Sequence, residues 1–116
     1  MPPEPGTRAS HAHRAVDLFN AGSYWEAHEA LEGIWREMDD GPEALVIQGL
    51  IQAAAALLHR SRGNSHGVRV VGKAALEKLA GRQLPGVEFE TETFRTELGP
   101  ALAGGGPAPT LRLRTT

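Results

Sequence analysis

Residues 22–35 of this chain, Gly-Ser-Tyr-Trp-Glu-Ala-His-Glu-Ala-Leu-Glu-Gly-Ile-Trp, hold both tryptophans, the only tyrosine, one histidine and three glutamates. No other window is so dense in groups that bind or react. His28 and Glu32 stand four apart, so on a helix their side chains lie side by side. Glu29 adds a second carboxylate. Gln48, Gln52 and His59 fall within one narrow arc of the next predicted helix. If these two helices form an antiparallel hairpin, both sets face a polar pocket walled by Trp25 and Trp35. Within it, His28, Glu32 and His59 are an acceptable ligand set for zinc or iron. The same groups suit general acid–base work. The plainer reading is a structural network, because His, Glu and Gln between helices commonly satisfy one another and fix the packing register.

Complete catalytic motifs are missing from this stretch. His28-Glu29-Ala30-Leu31-Glu32 departs from the zinc-protease pattern His-Glu-x-x-His at its last place, where Glu32 replaces the second histidine. The Glu-x-x-His order of di-iron bundles does not occur. There is no Walker loop and no dinucleotide fingerprint.

The elements that must position these groups read as helices. Ser10 caps a first helix over residues 10–21, with Ala12, Ala15, Val16 and Phe19 as its apolar stripe. Ser23 caps a second, and Glu26 completes a capping box. Tyr24, Ala27, Leu31, Ile34, Trp35 and Met38 share one face there, which makes Trp35 a core residue. Trp25 lies on a mixed strip and is expected partly exposed. Pro42 opens a third helix over 42–60, apolar nearly all round and therefore central. A fourth follows over 64–80, and a short fifth over 89–98, before Gly99-Pro100. Gly22 and Gly63, 41 residues apart, each close one helix and open another. The expected fold is all-α: a bundle of four main helices plus a short fifth, in two helical hairpins, with flexible termini. Residues 1–9 read as a loose tail, 10–98 as the bundle domain and 99–116 as a Gly/Pro-rich tail. Within that tail Thr110 to Arg114 alternates Leu and Arg, as a pairing edge strand would.

Composition bounds the function. At 116 residues the chain is one domain. A net charge of −2 gives no general attraction to nucleic acid or an acidic membrane surface. Without cysteine there is no disulfide framework and no thiolate chemistry. No apolar run approaches the ~18 residues that span a bilayer, and the first ten residues lack the apolar core of a signal peptide. A cytoplasmic location is expected.

Leu18 to Glu29, Leu31-Glu32, Trp35 and Gln48-Gly49-Leu50-Ile51-Gln52, with Leu57, His59, Asn64 and Gly67, resemble the domain of unknown function family 309. That resemblance runs from about Ala12 to Leu79 and implies a small all-helical bundle but no activity. Gly22 to Glu32 also looks like the second helix of a tetratricopeptide repeat, although a spacing of 41 is wrong for that repeat's ~34-residue period. The function these readings favour is a non-catalytic binding or protein-interaction module, with a protein partner or self-association and no cofactor. Its site residues are Trp25, His28, Glu29, Glu32, Trp35, Gln48, Gln52 and His59. The alternative is a metal-dependent or acid–base enzyme using His28, Glu29 and Glu32, with a transition metal held by His28, Glu32 and His59.

Overall fold

In the computed structural model, which describes residues 6–81, 83–104 and 106–114, the first corner falls at Gly22. Helix α1 spans Arg8–Asn20 and α2 spans Tyr24–Trp35. Between them Gly22 takes φ 81°, a left-handed conformation that only glycine adopts freely. The Ser23 N–H then reaches back to the Leu18 carbonyl at 2.9 Å, closing the end of α1. The same device recurs after α3, Pro42–Ser61, where Gly63 has φ 70° and the Asn64 N–H donates to the His59 carbonyl at 2.9 Å. Helices α4, Ser65–Leu79, and α5, Glu92–Gly104, complete the order.

One expected cap is replaced and another lacks its side-chain bond. Thr7, not Ser10, caps α1, its hydroxyl accepting the Ser10 N–H at 3.1 Å. Ser23 stands at the cap position of α2 without a side-chain hydrogen bond there, so its capping box is not made.

α3 runs through the middle, packed by α2 on one side and α4 on the other, with α5 across its far end. Leu31 and Ile34 of α2, Ile47, Leu50 and Leu57 of α3, and Leu79 of α4 are fully buried together. By length and composition alone α3 could cross a membrane, which corrects the reading that no apolar run is long enough. Its place between flanking helices accounts for that apolarity.

α5 differs most from expectation. It starts at Glu92, where the Glu90 carboxylate accepts the N–H groups of Glu92 and Thr93 at 2.8 and 3.0 Å. It continues past Gly99 with Pro100 inside it. Arg60 of α3 donates to the carbonyls of Ala101 and Gly106 at 3.1 and 2.8 Å, holding the end that proline weakens.

The segment after α5 is not a loose tail over its described residues. Leu111 is buried in the core. Its N–H and carbonyl are both bonded by the Asn20 side chain, at 2.8 Å each. Leu113 forms an isolated antiparallel bridge with Phe89, flanked by Glu90 N–H to Arg112 carbonyl at 2.9 Å and Arg114 N–H to Glu88 carbonyl at 2.7 Å. The Leu/Arg alternation thus marks a strap whose leucines face inward. At the other end, residues 1–5 of the expected N-terminal tail lie outside the described residues.

Candidate functional site

The buried stripe of α2 is Ala27, Ala30, Leu31 and Ile34. At about 100° per residue, Trp35, His28, Glu32 and Trp25 follow one another round the helix in an arc of about 80° beside that stripe. This explains why Trp35 is 38% exposed rather than core: it sits on the shoulder of the apolar face, not its centre. Trp25, at the outer edge of the arc, is 54% exposed.

The arc is ordered by its own contacts. Trp25 stacks on the His28 imidazole, centroids 5.3 Å apart and planes 11° apart. His28 Nδ1 lies 3.0 Å from Glu32 Oε1, and both side chains keep about a quarter of their surface in water. The two atoms are close without an aligned hydrogen bond between them. Glu32 Oε2 accepts from Arg36 at 3.5 Å.

α3 supplies the facing wall. Leu45, Gln48 and Gln52 share its outer arc, and Leu45 is 43% exposed. Trp35, Ala44, Leu45 and Gln48 line one cavity of ≈ 280 Å³ together with Asp40 and Gly41 of the connecting turn. With the helices antiparallel, that pairing fixes the register. His28, about 10 Å back along α2 from Trp35, comes level with residues about 10 Å on from Ala44–Gln48, which include Gln52. Gln52 Oε1 is buried with no hydrogen-bond partner. Among the described residues, the two side-chain polar atoms left in this state are His28 Nδ1 and Gln52 Oε1, both on the predicted site.

Two predicted members are elsewhere. Glu29 turns toward α1, where it lines a separate cavity with His11 and Arg14. His59 lies about 10 Å beyond Gln52 along α3. Its ring packs over Gly67 of α4 and its Nδ1 meets the Asn64 amide at 3.2 Å. Among the described residues no three His, Cys, Asp or Glu side chains converge, so the ligand set His28, Glu32 and His59 is not assembled.

Two motif fragments stand near His59, although neither a Gly-x-Ser-x-Gly elbow nor a Walker loop is expected. Gly63-Asn64-Ser65-His66-Gly67 spells Gly-x-Ser-x-Gly, and Gly67 to Lys73 spells most of a phosphate loop before Ala74 breaks it. The first needs a strand-to-helix turn and here joins two helices. The second lies inside α4, where helical hydrogen bonds occupy the N–H groups that would cradle phosphate.

The family model described as Domain of unknown function (DUF309) matches residues 12–71, just over half of the chain. The chain belongs to DUF309. The matched DUF309 segment covers most of α1, all of α2 and α3 and the first half of α4, so it contains Trp25, His28, Glu32, Trp35, Gln48 and Gln52. The curated proteins and the solved structures gave no match.

Proposed function

We propose that this chain is a non-catalytic protein-interaction module whose contact surface is the outer face of α2 and α3. The observation that carries the reading is the placing of exposed apolar surface. Of four large apolar side chains exposed among the described residues, Trp25, Trp35 and Leu45 belong to this face. Tryptophan anchors contact hot spots because it buries much area with few torsions to freeze. Glu32 lies on this face and Asp40 lines its cavity, with Arg36 as the cation that meets Glu32. These two carboxylates favour a partner segment bearing lysine or arginine, whose cation also packs on indole faces.

The test compares wild type with Trp25→Ala/Trp35→Ala in affinity capture and sedimentation velocity. A partner or self-association lost in the double variant supports the reading. A wild type that is monomeric at all concentrations and captures nothing that the variant fails to capture ends it.

The His28–Glu32 contact supports a second reading, an acid–base pair reachable by solvent. Turnover of any substrate abolished by Glu32→Gln yet retained by Trp25→Ala would favour it over the first. Neither reading assigns a metal. Elemental analysis of protein purified without chelators is expected to find no stoichiometric transition metal.

A further inference from the structure

The opposite side of the bundle carries a different feature. An open cleft of ≈ 540 Å³ runs between α4 and α5. Its floor is Val68, Gly72, Leu76 and Leu102. Gly72 sets the depth of that floor, since a Cβ there would fall 2.8 Å from Leu102 Cδ1. The volume lies within the ~300–1,000 Å³ usual for small-molecule sites, and the lining is mostly apolar as such sites are.

The rim is cationic. Arg69, Lys73 and Arg95 stand over the floor, with Glu77 as the one carboxylate. No ion pair among the described residues involves Arg69, Lys73 or Arg95. Arg95 donates its Nε to the Leu76 carbonyl at 3.2 Å, which fixes its guanidinium at the cleft edge. A second cavity of ≈ 370 Å³ shares Val68, Arg69 and Leu102 and extends the cleft toward the start of α4. An elongated apolar trough edged by positive charge complements one kind of small molecule: a hydrocarbon chain ending in a carboxylate.

We propose that the α4–α5 cleft binds a single-chain anionic amphiphile, its hydrocarbon chain along Val68, Gly72, Leu76 and Leu102 and its carboxylate against Arg69 and Lys73. This site uses none of the residues of the α2–α3 face, so either proposal stands without the other.

Gly99 offers a clean way to block the cleft. It lines the cavity, and a Cβ there meets nothing within 4 Å. Gly99→Leu therefore fills the trough, at a cost in helix stability because the Pro100 ring disfavours helical backbone at a preceding residue that carries a Cβ. The experiment titrates dodecanoate, below its micelle concentration, into the full chain by calorimetry, with amide chemical shifts read alongside. Dodecanol and dodecyltrimethylammonium serve as head-group controls. Saturable one-to-one binding of dodecanoate is expected, with shifts centred on Gly72 and Leu102. Dodecanol, and the variant Arg69→Glu/Lys73→Glu, should bind roughly tenfold or more weakly. Gly99→Leu should abolish binding while keeping the native circular-dichroism spectrum and a cooperative melt. No saturable binding overturns the proposal, as does equal affinity across the three head groups. Full binding by Gly99→Leu, or binding to anionic phospholipid vesicles without any to dodecanoate, overturns it too.

Discussion

Trp25 keeps its indole half in water while covering the face of His28. A side chain so exposed adds little to folding, so Trp25→Ala should shift stability by no more than about 0.5 kcal/mol. Gly67→Ala should do the reverse. Its new Cβ would stand 2.5 Å from the His59 ring carbon nearest the backbone, which has little freedom to retreat. Overpacking of that kind costs about 1–3 kcal/mol. Thermal melts of the two variants test both statements, and a large loss for Trp25→Ala would place that ring in the core. At this scale the sequence was partly legible. A 3.6-residue period separates Trp25 from the apolar stripe and puts His28 beside Glu32. It does not fix how wide the buried stripe is, so Trp35 on its shoulder read as core. Periodicity also groups Gln48, Gln52 and His59 by angle while ignoring height, which is why His59 was drawn into a site it does not reach.

Among the elements, the strap at residues 106–114 carries the sharpest consequences. Leu111 is 1% exposed, so Leu111→Ala should cost about 2–5 kcal/mol by chemical denaturation, a loss no loose tail would show. Glu97 of α5 holds the strap from outside. Its carboxylate accepts the Thr110 N–H at 3.0 Å and pairs with Arg112 at 3.4 Å. The Thr110 N–H first, and Arg112 second, hold the Glu97 carboxyl below the usual carboxylate range. A depressed value means the contribution is complete above the unfolded glutamate pKa of about 4.3 and fades as pH falls through the lower folded value. Glu97→Gln should therefore melt slightly below wild type at pH 7, with the gap closing on acidification. A gap that widens in acid would contradict the assignment. Local rules miss the strap because its partners are distant: Asn20 lies 91 residues from Leu111. The Leu/Arg alternation was visible, but alternation alone names no neighbour. α5 likewise outran its expected end because Arg60, from another helix, secures a turn that Gly99-Pro100 would leave frayed.

Over the whole molecule, the order of helices follows from one property of the sequence. A helix apolar nearly all round must be surrounded, and α3 is. α2 and α4 accordingly pack against it. Charge follows the same division. Carboxylates gather along α2 and its following turn, whereas Arg60, Arg62, Arg69, Lys73 and Lys78 gather on the far end of α3 and on α4. The DUF309 match stops at Val71, yet Phe94, Leu98 and Leu111 beyond it are fully buried. The matched segment alone would therefore leave core surface bare.

Arg8 and Arg114 line the same cleft of ≈ 280 Å³, and Arg8 grips Glu88 with both its Nε and Nη2. The described segments around Arg8 and Arg114 thus meet at one corner. A short peptide could splice them, and the backbone could be opened instead at the exposed Gly63 turn. Such a circular permutant should keep the native circular-dichroism spectrum and a cooperative melt.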